Sequence, residues 1–549
     1  MNSFNFKQWN NILGWFVFTI ALITYGLTVE PTASFWDAGE YITTSSNLEV
    51  GHPPGAPLYQ LLGAFFSIFA MEATNIALTI NLMSVFASAF TILFMFWSLT
   101  LLLANIISKN NAITKESSYA ILGSAVIGSL TFAFSDSFWF NAVEAEVYAM
   151  AAFIMSVLFY LALRWEKDMH TPRGDRWVVL IAFVIGLSFG VHFMGLLTIP
   201  AMGMLYFFKN YKTVTIKNFI VANVLMVTIL LFIFKLLLPM TLKFFSASEI
   251  FFINSIGLPF NSGTIIAGIL FIALFYLLLR YTRNHNFVKL NTLLLSILFI
   301  FIGFSSWIML PVRANAGTMI NENNPNNARE LLAYYNREQY PETHLFHGPL
   351  FTEKYVGLDP NNPYKNDKPK FEKDEKNGKY IIVNDYVNAS QNTDDSQKGF
   401  FPRMWSTEHS SNYMEFTGGL EYNIKRDYLG ESRLVDIVKD FNQDIREGKV
   451  GADDFDNFLK DFGPFLDIQK PTFMQNMTYM FEYQFGYMYW RYFMWNFSGR
   501  QDDKQGEYTD LHGNWLTGIS FIDDARLGPQ EFIASDAKNN KARNTYFML

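Results

Sequence analysis

Asp37, Glu40, Glu49 and His52 all fall in one short stretch, SFWDAGEYITTSSNLEVGHPPGAPLYQ, from Ser34 to Gln60. Carboxylates gathered in this way can remove a proton from a hydroxyl or ligate a cation, and a histidine beside them can orient either step. Asp37 and Glu40, three residues apart, share one face if the loop opens a helix. In a purely structural reading, Asp37 instead completes a capping box with Ser34. A second acidic pair, Glu144 and Glu146, is separated by one residue. An extended segment points both carboxylates to the same side, whereas a regular helix spreads them by about 200°. In the helical case they simply occupy the first turn of the next helix, where the dipole favours anions.

His52 stands in GHPPGAPLY, where prolines restrict the chain and Pro57 is placed to open a helix. It can bind a phosphate, orient a carboxylate, or be an ordinary loop histidine. His192 interrupts the apolar run SFGVHFMGLL, and ionisable groups at membrane depth usually face a cavity or a partner. Arg313, in LPVRANA, offers a planar fork to a phosphate, or else snorkels to lipid headgroups.

The elements that must hold these residues are set by hydropathy. Half of the 549 residues are hydrophobic and 17% are aromatic, and apolar runs of membrane-crossing length recur up to about residue 311. The expectation is an integral membrane protein with about nine spans: 12–29, 76–107, 119–134, 147–163, 177–190, 193–208, 219–240, 262–281 and 290–310. The first run is too long for a cleaved signal and is read as a retained helix. Residues 57–71 read as an interfacial or re-entrant helix. Lys109 and Lys115; Arg164, Lys167, Arg173 and Arg176; Lys209, Lys212 and Lys217; and Arg280, Arg283 and Lys289 fall in alternate connections. The positive-inside rule places these in the cytoplasm, so the amino terminus is inside and the acidic loops are outside. The net charge of −7 without a basic cluster argues against nucleic acid, and with no cysteine there is no disulfide, thiolate metal site or thiol nucleophile.

After residue 311 the composition turns polar, which divides the chain into a membrane domain, 1–311, and a soluble α+β domain on the outer face, 312–549. Short helices are expected over 434–445 and 455–462. Residues 473–497 are crowded with Met, Tyr, Phe and Trp yet hold Glu482 and Arg491. Two readings stand: a segment lying in the headgroup layer, membrane-associated over 473–500, or a buried aromatic core helix.

FWDAGEYITTSSNLEVGHPPGAPLYQLLG, together with SFWFNAVEAEVYAM, GVHFMGLLTIP and YMYWRYFMWNFSGRQ, resembles a family of bacterial membrane proteins formerly classed as a domain of unknown function. That family also includes the eukaryotic protein O-mannosyltransferases acting on plexin-type receptors, within the GT-C glycosyltransferases. The resemblance implies a GT-C-like helical bundle in a bacterial inner membrane, with its active site facing the periplasm. It implies a polyprenyl-phosphate sugar donor, with mannose as the sugar, an acceptor protein offering Ser or Thr, and inversion at the anomeric carbon. Asp37, with Glu40, would be the catalytic carboxylates; Glu144 and Glu146 would support the acceptor or hold a divalent ion. Arg313 with His52 or His192 would bind the donor phosphate, and the soluble domain would receive the acceptor, residues 473–500 closing over the groove. Members often continue into further membrane helices, so the apolar ending NTYFML is expected to precede another element. The alternatives are a lipid or glycan acceptor, or a transporter or secretion-complex subunit, although a transporter would place ionisable residues on broken helices in matched halves.

Overall fold

The computed structural model describes residues 5–108, 113–340, 344–504 and 508–545. Lys109, one of the charges used to set the topology, and residues 546–549 of the apolar ending lie outside the described residues. The chain is mostly helical, 64%, with a small α+β region towards the carboxyl end, as a polytopic membrane protein requires. It forms two compact units, Met1–Tyr340 with Asn377–Lys379, and Pro341–Lys376 with Tyr380–Leu549. The division falls later than the composition change at 311–312. The reason is the helix Ala328–Asn336, which buries Leu331, Tyr334 and Tyr335 in the core of the first unit.

Among the described residues of the first unit six helices are long and apolar enough to cross a membrane: Phe6–Leu27, Ala73–Ile107, Val147–Asp168, Ile216–Asn254, Ser262–Asn284 and Val288–Asn315. A bent pair, Lys115–Ala133 and Asp136–Ala142 at 68°, would make a seventh. The expected runs at 177–190 and 193–208 form shorter helices, Gly174–Ser188 and Thr198–Asn210. The first of these is about 22 Å long at 1.5 Å per residue, short of a hydrocarbon core of about 30 Å. It packs on Val288–Phe304. A Cβ on Gly186 would meet the Ile300 carbonyl oxygen at 2.3 Å, so the two backbones touch only because no side chain intervenes. Pro57–Ser67 is an eleven-residue helix with proline in its first turn.

Polar side chains inside this unit fasten the loop that follows the first helix. Tyr25 Oη donates to the Ala133 carbonyl at 2.8 Å, and Asn81 Nδ2 donates to the carbonyls of Glu30 at 2.6 Å and Thr32 at 2.9 Å. A loop left loose at this point could not hold Asp37 in register.

The second unit has its own core. Helices Ser432–Arg446 and Ala452–Phe462 cover the expected short helices, and Phe441 stacks on Phe458 at 3.7 Å between them. Antiparallel ladders pair His347–Pro349 with Lys398–Phe400 and Tyr422–Ile424 with Leu466–Ile468. The buried Asp456 collects Lys354 at 2.9 Å, Ser410 at 2.8 Å, and Tyr355. It is a structural node whose carboxyl is desolvated yet held well below the usual range by these donors and Lys460.

Candidate functional site

Asp37 is itself the N-cap residue of the helix Ala38–Ser46, and its side chain makes no capping hydrogen bond. The carboxylate is therefore not spent on the helix end, as the capping-box reading would have it. It remains 58% exposed. Glu40, one turn on, is fully engaged: Oε1 accepts from the His52 backbone N–H at 2.6 Å, and Oε2 pairs with His52 Nδ1 at 3.0 Å. Gly51 makes this approach possible, since a Cβ there would lie 2.6 Å from Glu40 Oε1. The other ring nitrogen of His52, Nε2, stands 3.9 Å from Asp37 Oδ2. The two carboxylates thus share a face, as their spacing predicted, with an imidazole bridging them.

The electrostatics follow from that bridge. Partial burial works to raise the Glu40 carboxyl, but the His52 hydrogen bonds and charge outweigh it, and the net shift is downward. The Glu40 hydrogen bond raises His52 in turn, against burial, with the charges of Glu40, Asp37 and Glu322 adding to it. Both partners favour their charged forms.

The loop carrying His52 is fixed by residues far along the chain. Tyr334 Oη donates to the Gly51 carbonyl at 2.5 Å, and Val50 N–H donates to the Ile320 carbonyl at 3.1 Å. Arg313 lies here too. Its Nε donates to the Leu48 carbonyl at 2.5 Å and its Nη2 to the Asn47 carbonyl at 3.1 Å, at the carboxyl end of the Asp37 helix. A cation is favoured there by the helix dipole.

Asp37, Glu40 and His52 line a cavity of about 490 Å³, together with Glu146, Tyr148, His192, Arg337 and Tyr340. Arg313 is not among its lining residues. Glu146 is extended, with φ −121° and ψ 148°, and its N–H bonds the Glu144 carbonyl at 2.9 Å. Burial, then the charges of Asp37 and Glu144, push its carboxyl up to about 7. Glu144 is buried elsewhere, beside Ser34 and Glu30; burial raises its carboxyl, and the Ser34 hydroxyl works the other way. Among the described residues no three His, Cys, Asp or Glu side chains come together in a way that could hold a metal ion.

His192 lines the cavity with its ring 5.4 Å from that of Tyr148, and its Nδ1 accepts from the Met194 N–H at 3.2 Å. That bond puts the proton of the neutral ring on Nε2. Burial also lowers its pKa, which favours the neutral form. His192 is thus a hydrogen-bond donor rather than a cation.

Two contributions were not anticipated from sequence. Arg337 ends the helix Ala328–Asn336 in the left-handed region, φ 57° and ψ 43°, with its guanidinium 4.3 Å over the Tyr340 ring on the cavity wall. Nothing in LLAYYNREQY marks it. Trp36, directly before Asp37, is also left-handed at φ 66° and is 89% exposed. A bulky residue gains neither relaxed backbone nor burial there.

Part of the first unit, with most of this site, is similar to a known sequence family. Residues 37–215 match the family model described as the protein O-mannosyl-transferase TMEM260 N-terminal domain. Over that stretch the chain is related to the eukaryotic protein O-mannosyltransferases. The TMEM260 O-mannosyl-transferase of Dictyostelium discoideum is 25% identical over 162 residues, 29% of this chain and 18% of the relative. The mouse protein of the same name is 26% identical over 172 residues, 31% of this chain and 22% of the relative. The chain thus matches about a fifth of the length of these relatives. Asp37, Glu40, His52, Glu144, Glu146 and His192 all lie inside the TMEM260 match, while Arg313, Arg337 and Tyr340 lie beyond it. Residues 341–481 match a separate family of unknown function. No solved structure matches.

Proposed function

We propose that the first unit is a GT-C-type glycosyltransferase that moves a sugar from a polyprenyl-phosphate donor to Ser or Thr hydroxyls of proteins at the outer face of a bacterial inner membrane. The observation that carries this reading is the exposed Asp37 carboxylate, free of capping, on the wall of a cavity that also holds an arginine and a histidine donor. The names of the relatives supply mannose and a protein acceptor.

In this mechanism the acceptor oxygen attacks the anomeric carbon opposite the phosphate, while Asp37 takes its proton. The new C–O bond forms as the bond to the phosphate oxygen breaks, and the electron pair leaves on the polyprenyl phosphate. One displacement inverts the anomeric carbon. Glu40 holds His52, and the Nε2 of His52 stands beside Asp37. Arg337 and His192 Nε2–H face the negative charge of the donor, replacing Arg313, which is committed to carbonyls. Base help of this kind is worth about 10²–10⁴-fold, and positioning and charge stabilisation supply the remainder. No step is routed through a metal.

The test is transfer from a polyprenyl-phosphate-linked radiolabelled mannose to outer-face proteins in purified membranes. Asp37→Asn, which keeps shape and removes basicity, should lower transfer by about 10²–10⁴-fold. A variant working at the wild-type rate removes Asp37 as the base. Mass spectrometry of outer-face proteins from cells lacking the gene should show a hexose missing from Ser or Thr peptides. Unchanged peptides with altered lipid glycans would favour a lipid or glycan acceptor.

A further inference from the structure

The aromatic segment of the second unit presents two different faces. Phe473–Thr478 and Trp490–Trp495 are α-helical, and the eleven residues between them, Tyr479–Tyr489, form a π-helix. The wider i→i+5 turn of a π-helix lets side chains four apart stay nearly aligned. Tyr479, Tyr487, Arg491 and Trp495 accordingly form one buried row. Tyr479 packs edge-on to Tyr413 at 5.1 Å and to Phe416 at 5.6 Å, which fastens the segment to the core of its own unit. Phe481, Phe485, Tyr489 and Phe493 form the opposite row and are 41–61% exposed, with Trp490 beside them. The core-helix reading thus holds for the inward face, and the opposite face is left exposed.

Charge is sorted in the same way. Glu482 and Arg491 are the only charged residues between Phe473 and Phe497. Arg491 is turned inward, 2% exposed, with its guanidinium 4.3 Å, 4.9 Å and 5.2 Å from the rings of Tyr487, Tyr492 and Trp495. The exposed row keeps a single formal charge, Glu482, and no cation.

We propose that the exposed row Phe481, Phe485, Tyr489 and Phe493, with Trp490, docks into the interfacial layer of a phospholipid bilayer. Three observations favour lipid over a protein partner. The same chain carries helices long and apolar enough to cross a membrane, so this unit is tethered where a bilayer is always at high effective concentration. The row contains Tyr and Trp, whose apolar rings and polar tips suit the depth of the headgroups. The cation is withdrawn, so docking rests on aromatic burial and not on attraction to anionic lipid.

The chain has no cysteine, so a single introduced thiol carries a unique label. Phe485→Cys, Tyr489→Cys and, as a control on the exposed side of another helix, Asp453→Cys would each be labelled with a small fluorophore in the full chain. Each would be reconstituted in phosphatidylcholine nanodiscs with and without doxyl-labelled lipid. Doxyl lipid should quench the labels at 485 and 489 at least threefold more than the label at 453, and exchanging a third of the lipid for an anionic one should not change the ratio. Equal quenching at all three sites overturns the proposal, whether iodide in solution reaches the labels, showing a free face, or not, showing a protein partner. Quenching at 485 and 489 that appears only with anionic lipid also overturns it. The outcome is independent of any assay of sugar transfer.

Discussion

Two acidic pairs that look interchangeable in the sequence are put to opposite uses. Asp37 and Glu40 sit on one face, bridged by His52, with Asp37 left open to the cavity. Glu144 and Glu146 part company: Glu146 lines the cavity, while Glu144 is buried beside Ser34 and Glu30. Spacing alone does not decide between these outcomes. What differs is a partner: Glu40 gains an imidazole that favours its anion, whereas burial raises both Glu144 and Glu146, and the charges of Asp37 and Glu144 raise Glu146 further.

That contrast puts variants of the four acids in an order. Below Asp37→Asn, the largest effect is expected from Glu40→Gln, which weakens the grip on His52. A loss of about 10–100-fold in kcat, with donor KM little changed, is the usual range for the outer partner of a catalytic group. The lowered carboxyl and raised imidazole also give the pair a pH window. Its stabilisation is lost as pH falls through the depressed Glu40 pKa and again as pH rises through the raised His52 pKa. Thermal inactivation of the wild type should show both edges, and Glu40→Gln should blunt both. A kcat like wild type would break the comparison.

Glu146→Gln should act more gently and mainly through pH. With its carboxyl at about 7, Glu146 is protonated in mild acid and adds an anion beside Asp37 and the donor phosphate above neutrality. The wild-type rate should therefore fall across neutral pH towards alkaline, and Glu146→Gln should flatten that limb while leaving the acid limb in place. The smallest effect is assigned to Glu144→Gln: transfer within about twofold of wild type, and a stability change of about 0.5–1.5 kcal/mol, the worth of one hydrogen bond. Loss of transfer in a folded Glu144→Gln would return Glu144 to the chemistry.

Much of this architecture is legible from local pattern. Long apolar runs mark the membrane-crossing helices because hydrocarbon demands them, and WDAGE followed by HPPG marks the acidic loop because its residue types have few other uses together. What stayed hidden depends on contacts distant in sequence. Arg313 reads as a free cation at a membrane edge, and only the folded chain brings it to the carbonyls of Asn47 and Leu48. Arg337 and Tyr340 lie past the composition change at 311 and read as part of the soluble domain, yet they line the cavity of the first unit. The runs at 177–190 and 193–208 are apolar enough to suggest crossings, but the helix Gly174–Ser188 is short of one, and the second run opens as a 3₁₀ turn, Phe193–Leu197, before the helix Thr198–Asn210. Hydropathy reports burial from water and cannot tell a bilayer from a protein interior.

The loop holding His52 is tied down by Arg313, Ile320 and Tyr334, which follow it by well over two hundred residues. A ribosome adding about 5–20 residues per second needs roughly 15–60 s to cover that distance. During that interval the nascent chain carries its acids and His52 without the ties that aim them. The site is completed only when most of the first unit already exists, and a chain stopped at residue 311 would keep Asp37, Glu40 and His52 but none of those ties.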